Sequence, residues 1–268
     1  MKDIVENRRR ISLAKKLEIA GIVVRENGLL WTALLGVYYA ASTVSQRAFA
    51  AMDGLRKKKG IPGMNSRALN KAIWEAWDWN AAGEEWTPSE DWKASVIRCI
   101  LEKHIPAGSR VLEIGPGGGR WTEHLVPRAS DFLAVDISES CVDLCRKKFA
   151  AAPHARFIVG TGCDLAGVPD ASVDALWSFD VFVHINREEV ERYADEFRRV
   201  MRPGAVGVIH HGSVGGTLGG WRSNLTHEGM LDLLKQRGFS IVASFKEWQD
   251  SGTTHQAGLY QDVVTVFS

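Results

Sequence analysis

The sequence predicts an α/β fold: a doubly wound, mostly parallel seven-stranded sheet with a C-terminal antiparallel strand pair, preceded by an N-terminal helical extension. Three observations carry this. From residue 88 onward short apolar runs alternate with helical patterns, which demands a parallel sheet covered on both faces. One of those runs, residues 111–114, enters the turn Gly115-Pro116-Gly117-Gly118-Gly119-Arg120 and then a short helical segment. After the last predicted helix come two strand-like runs, residues 240–248 and 260–267.

Residues 1–59 hold 12 Lys/Arg against 5 Asp/Glu and the remainder 21 against 27, so the formal charge of +1 over 268 residues conceals a basic N-terminal arm. That balance implies no global polyanion binding. Residues 27–46 carry no charge and are long enough to span a bilayer, yet Asn27, Thr32, Ser42, Thr43, Ser45 and Gln46 would be costly in lipid. Three readings follow, in descending order: helices packed on the protein or on a partner subunit of a homo-oligomer, a peripheral membrane helix, and a true span. Arg8, Arg9, Arg10, Lys15, Lys16 and Arg25 on one side, and Arg47 on the other, suit the membrane surface, with Trp31, Tyr38 and Tyr39 at the interface. The run Arg56-Lys57-Lys58-Lys59 reads as a solvated loop.

Gly60-Ile61-Pro62-Gly63 marks a break, and Trp74, Trp77, Trp79, Trp86 and Trp92 then suggest a packed lid or pocket wall. Thr87-Pro88-Ser89-Glu90 reads as a capping box that starts a helix near Pro88, ending before Pro106. Two domains are therefore expected: residues 1–86 as helical arm and lid, and 87–268 as the catalytic domain. Strands are predicted at 111–114, 132–136, 156–159, 175–179 and 205–210. Ser138 caps the helix carrying Cys141, Asn186 with Glu189 forms a second capping box, and a helix over 226–237 stops at Gly238.

Cys99, Cys141, Cys145 and Cys163 form no Cys-x-x-Cys pair and follow no secretory signal, so a reducing cytoplasm, with an arm suited to membrane association, is the expected location. Cys141 and Cys145 share one helix face and read as packing rather than metal ligands.

Glycines let the turn after the first strand fold tightly and bring its amides close to a nucleotide-like ligand. A dinucleotide fingerprint requires a third glycine where Arg120 stands, which disfavours a nicotinamide oxidoreductase. Asp136 lies 21 residues after Gly115 at the end of the second strand, where one carboxylate can accept from both hydroxyls of a ribose.

The pattern Glu113-x-Gly115-x-Gly117-x-Gly119 resembles the first motif of the class I S-adenosylmethionine-dependent methyltransferases. Together with Asp136, Pro169-Asp170-Ala171-Ser172-Val173-Asp174, the strand ending Trp177-Ser178-Phe179-Asp180-Val181-Phe182-Val183-His184 and Met201-Arg202-Pro203-Gly204, the resemblance covers residues 88–212. It implies a Rossmann-like fold and S-adenosyl-L-methionine as cofactor, in the small-molecule branch of the family. The cofactor residues it implies are Glu113, Gly115, Gly117 and Gly119 at the turn, Asp136 on the ribose and Ile137 on the adenine face. Thr161 stands where the family usually carries an aspartate that reads the adenine amino group. Backbone groups of Gly162 and Cys163, or the Asp164 carboxylate, would take over that contact. Ser178, Phe179 and Asp180 neighbour the methionine end.

Some O-methyltransferases of this class carry a general-base histidine where His184 stands, and an imidazole suits that task. The competing reading has His184 tie the strand to the helix at Asn186. His210 and His211 end the fifth strand, and adjacent strand residues point to opposite faces. His211 is the second base candidate, Asp180 joins the catalytic set, and His210, Trp221 and Arg222 are acceptor contacts under a mobile glycine-rich run, residues 212–220. Asp180, His184 and His211 are too distant in sequence to indicate a metal, and none is expected.

The fourth strand lacks the Pro-Pro-aromatic motif of nucleobase amine methylation and the Pro-Cys of cytosine-C5 enzymes, and no paired-glutamate loop is present. These absences favour a small-molecule or glycan acceptor over nucleic acid, with O-methylation expected. N- or C-methylation, and a non-catalytic S-adenosylmethionine-binding partner protein, are the alternatives.

Overall fold

The structure of the protein, a computed structural model, describes residues 12–216, 221–258 and 260–268, which divide into two compact units between Gly60 and Ile61. In the first unit, helix α1 (Leu13–Lys59) opens with Ser12 Oγ accepting the Lys15 N–H and closes with Gly60 in the left-handed region, φ 61°. Gly28 (φ 81°, ψ 165°) interrupts the helix where the uncharged run begins. Arg56 to Lys59 form its last turn instead of a loop, because cations there face the unpaired carbonyls and negative end of the helix dipole. No residue of α1 is buried, Leu29 and Leu30 are each 77% exposed, and the helix is long and apolar enough to cross a membrane. Arg8, Arg9 and Arg10 lie outside the described residues.

The second unit begins at Ile61, not at residue 87. The tryptophan-rich stretch belongs to it because asparagine side chains tie it down. Asn186 Nδ2 donates to Pro62 O at 3.0 Å, Asn70 Nδ2 to His184 O at 3.0 Å and Asn65 Nδ2 to Arg222 O at 2.9 Å. Helix α2 (Arg67–Ala76) and two short turns precede α3 (Glu90–Val96), which runs on through a π turn to His104. Ser89 is the cap of α3, its Oγ accepting the Trp92 N–H, while Thr87 donates to Glu84.

The order is then β1 (Arg110–Ile114), α4 (Thr122–Leu125), β2 (Asp131–Asp136), α5 (Glu139–Lys148), β3 (Ala155–Val159), β4 (Val173–Phe182), α6 (Arg187–Val200), β5 (Met201–His211), α7 (His227–Gln236), β6 (Ile241–Phe245), β7 (Glu247–Asp250), β8 (Thr253–Gln256) and β9 (Val263–Phe267). Seven strands form one sheet in the order β3-β2-β1-β4-β5-β9-β6, with β9 antiparallel to both of its neighbours. The strand order reverses between the parallel neighbours β1 and β4, so the crevice at their carboxyl ends is where this architecture accepts ligands.

Period-two alternation sends Leu112 and Ile114 to one face, under Tyr193, Phe197, Met230 and Leu234, and Val111 to the other, under Ile100, Leu101 and Leu125. The run 240–248 is not one strand. It breaks at Lys246 into β6 and β7, and β7 pairs with β8 in a separate hairpin whose turn residues, Ser251 (φ 50°) and Gly252 (φ 84°), both adopt the left-handed geometry that hairpins favour. Asn186 precedes α6 without a capping bond, its side chain being spent on Pro62, Asn65 and the Asn224 N–H.

Residues 61–268 expressed alone should melt in one cooperative transition within a few degrees of the full chain, as differential scanning calorimetry would show. Loss of the transition would contradict the division at Gly60.

Candidate functional site

At the carboxyl ends of β1, β2 and β4 lies a cavity of about 900 Å³, at the upper end of the ~300–1,000 Å³ typical of ligand sites. Its floor is the glycine turn. A Cβ on Gly115 would lie 2.4 Å from Val181 Cγ2, and one on Gly118 would lie 2.4 Å from the Ala82 backbone, so side chains are excluded by β4 on one side and by the lid on the other. Gly117 has φ 52° and faces Trp79, whose ring would meet a Cβ at 2.7 Å.

Asp136, at the end of β2, borders this floor. Its Oδ2 accepts the Gly117 N–H at 3.1 Å and its Oδ1 the Ser138 N–H at 2.9 Å. Burial raises its pKa to about 6 against the pull of those amides. Glu113 is placed differently: it lies buried outside the cavity walls, its Oε2 accepting the Thr122 hydroxyl at 2.6 Å. Burial lifts its pKa to about 8. Glu113 therefore holds the base of the following helix rather than facing the cavity.

At the end of β4, Asp180 adopts φ 62°, a left-handed conformation that Asp tolerates better than most residues, at a cost on the order of 1 kcal/mol. Arg120, 4% exposed, forms an ion pair with Asp180 Oδ2, and His210 Nδ1 lies 3.0 Å from Oδ1. Burial alone would raise the Asp180 carboxyl, but His210 and Arg120 hold it well below the usual carboxylate range. Thus the residue that breaks the dinucleotide fingerprint fixes the end of β4.

Opposite this charge cluster stands an aromatic wall. Trp74, Trp79, Trp86 and Trp221 all border the cavity, Trp74 stacking on Trp221 with ring centroids 6.2 Å apart. His184 lies beside both, 5.3 Å from Trp74 and 5.6 Å from Trp221 by ring centroid, with Nδ1 3.0 Å from Trp221 O. A carbonyl only accepts, so this contact places the proton on Nδ1 and leaves the Nε2 lone pair free. Burial, aided by Arg222, lowers the His184 pKa to about 4. Arg222 packs its guanidinium 4.6 Å above the Tyr260 ring and lies 3.1 Å from Asp262 Oδ2.

Of the residues expected at the site, the cavity thus gathers Gly115, Gly117, Asp136, Ile137, Gly162, Phe179, Asp180, His184, Trp221 and Arg222. Glu113, Gly119, Thr161, Cys163, Ser178, His210 and His211 do not border it. Ser178 Oγ instead pins β4 to Ile114 O at 2.9 Å, and His210 stacks behind Phe179 at 4.3 Å. His211 is corrected as a base candidate: its Nδ1 lies 2.7 Å from Gly212 O and its Nε2 2.9 Å from Thr265 Oγ1, which uses both nitrogens away from the cavity. Residues 217–220 of the predicted mobile run lie outside the described residues. Sequence reasoning missed Asn65, Asn70, Glu85, Asp262 and the β8 residues Thr254 to Gln256 as wall elements. Ser251-Gly252 between two polar-apolar runs was the available hairpin signal.

Known proteins support the same reading. A methyltransferase domain family model matches residues 112–209. The ribosomal RNA small subunit methyltransferase A of Geobacter sulfurreducens is 42% identical over 59 residues, 22% of this chain and 21% of that protein. An uncharacterized methyltransferase of Mycobacterium tuberculosis is 35% identical over 101 residues, 37% of this chain and 39% of its own length. The chain spans less than half the length of these curated relatives. Among solved structures, a DhpI–SAH complex shares the fold at 17% identity with a TM-score of 0.54, covering 76% of this chain and 97% of that one.

Glu113 generates a stability test. Its folded pKa lies above the unfolded value, so unfolding releases its proton, and stability falls between about pH 4.5 and pH 8 by at most ~1.4 kcal/mol per pH unit. Glu113→Gln, which keeps an acceptor for Thr122, should melt above the unmodified protein at pH 8, with the gap closing toward pH 4.5. A gap that is the same at both pH values would contradict a buried, protonated Glu113.

Proposed function

Residues 112–209 form a domain of the class I S-adenosylmethionine-dependent methyltransferase family, and on that premise we propose that the protein is an enzyme transferring a methyl group from S-adenosylmethionine to a hydroxyl of a small molecule or glycan. One observation carries the reading: the glycine turn, Asp136, Asp180 and His184 border a single cavity large enough for cofactor and acceptor together. The residues fit the cofactor. Asp136 offers a carboxylate for a ribose diol beside the Gly117 amide, Ile137 an apolar face for adenine, and Phe179 and Asp180 the walls of the methionine end. When bound, the cofactor supplies a methyl group on a sulfonium, open to in-line displacement.

The chain's own groups then align, desolvate and deprotonate. The indoles of Trp74, Trp79, Trp86 and Trp221 exclude water and present flat apolar surface to an acceptor ring. As the acceptor hydroxyl oxygen gains the methyl group, its proton passes to His184 Nε2, while the Trp221 carbonyl holds Nδ1–H in place. A pKa of about 4 keeps Nε2 unprotonated throughout the neutral range at the expense of basicity. That weak basicity favours one second reading, N-methylation of an uncharged amine, which needs no base at the moment of transfer.

In the N-terminal unit, the exposed apolar surface of α1 and the basic residues Arg56 to Lys59 support contact with an anionic membrane surface.

A screen of sugars, phenols, amines and an RNA oligonucleotide against labelled donor identifies the acceptor class. With an accepted hydroxyl compound, His184→Ala should lower kcat by about 10²-fold or more, and the acid limb of the unmodified enzyme's kcat/KM should lie near pH 4 instead of pH 6.5. Unchanged turnover in the variant would contradict base catalysis. Full-length protein should pellet with anionic liposomes in a salt-dependent way and residues 61–268 should not; equal behaviour of the two would remove the membrane contact.

A further inference from the structure

The adenine end of the cavity lacks the carboxylate that the family resemblance leads one to expect. Thr161 Oγ1 donates to Asp164 Oδ2 at 2.6 Å, Asp164 Oδ1 accepts the Ala166 N–H at 3.4 Å, and neither residue borders the cavity. Asp164, the nearest substitute by sequence, is thus spent on its own loop. Gly162 and Ile137 do border the cavity and touch each other: a Cβ on Gly162 would lie 2.5 Å from Ile137 Cδ1 and 3.3 Å from Arg67 Cγ.

Glu189, in the first turn of α6, lines the same cavity. Its Oε2 is buried without a hydrogen-bond partner, and the carboxylate joins no ion pair among the described residues. The nearby cations Arg67 and Arg192, each with Nη1 on Cys163 Sγ at 2.8 Å and 3.4 Å, ease the Glu189 charge from a distance without forming an ion pair with it. Burial raises the Glu189 carboxyl, the mark of a charge held at a cost. A buried acceptor left unmet costs about 1–3 kcal/mol, more when charged, and a ligand N–H at this point removes that cost.

We propose that Glu189 accepts a hydrogen bond from the exocyclic amino group of the cofactor's adenine, replacing the carboxylate absent at Thr161 and selecting adenine over 6-oxopurines. The inference rests on the cofactor reading given above. An amino group at purine C6 donates to the carboxylate, whereas a 6-oxo group would set one acceptor against another. Glu189 is in this view a specificity residue for the cofactor and has no part in proton transfer.

Calorimetric titration of the full-length protein with S-adenosylhomocysteine and with its 6-oxo analogue, S-inosylhomocysteine, tests this. The unmodified protein should bind the adenine compound at least about 10-fold more tightly, as expected for a hydrogen bond to a charged group. Glu189→Ala should bring the two affinities within about threefold of each other. Its unliganded melting temperature should hold or rise, because a buried oxygen without a hydrogen-bond partner has been removed. Glu189→Gln, which retains an acceptor oxygen, should preserve part of the preference. Undiminished discrimination in a folded Glu189→Ala overturns the role of Glu189 alone, whereas binding of neither compound by the unmodified protein overturns the cofactor reading and this one with it.

Discussion

The site depends on a turn with four positions that can carry no side chain, Gly115, Gly117, Gly118 and Gly119. Between β1 and α4 the backbone is approached by Val181 from β4, by Trp79 and Ala82 from the lid, and by Phe149 from the end of α5, each at a distance that a Cβ would violate. The constraint runs both ways. Four glycines permit the approach, and the approach lets β4 and the lid stand close enough to wall one cavity. A bulkier turn would push the lid off Gly118 and open the space to water, so the sequence of the turn and the closure of the cavity are one condition.

Electrostatics secure what sterics permit. Asp180 occupies an unfavourable backbone conformation at the edge of the cavity, and Arg120 and His210 hold its carboxylate from two sides. Arg120 immediately follows the turn, so the pair clamps the start of one element to the end of another. Asp262 and Arg222 form a second pair on the far side of His210, whose Nε2 lies 3.9 Å from Asp262 Oδ2. Arg120 and Arg222 thus set a guanidinium against each of the two carboxylates, Asp180 and Asp262, beneath a largely aromatic chamber.

Most of the sheet was legible because its strands carry period-two or continuously apolar patterns, and the turn because glycine spacing has few other uses. That the lid clusters with residues 61–268 was not legible, because side-chain amides reaching backbone carbonyls hold it there, as with Asn65, Asn70 and Asn186, and such bonds leave no periodicity. The β7–β8 hairpin was lost inside a longer run that breaks at Lys246. Alternation required His210 and His211 to face opposite ways but could not say which faced Asp180. That choice shows in the pairing with β9, where His211 lies opposite Val263 and its Nε2 meets Thr265 Oγ1, two residues along the same face. Glu189 was read only as a capping residue. Its unmet oxygen is a property of packing, visible only once α6 and the lid are in place.

The central claim is that the glycine turn and Asp136 hold S-adenosylmethionine and not a dinucleotide. Equilibrium dialysis of Asp136→Ala beside the unmodified protein, with labelled S-adenosylmethionine and labelled NAD, tests it directly. The account predicts that the unmodified protein binds S-adenosylmethionine and not NAD, and that Asp136→Ala weakens binding by about 10-fold or more, in keeping with loss of hydrogen bonds to a charged group. Equal affinity of the variant for S-adenosylmethionine, or retention of NAD in its place, would contradict it.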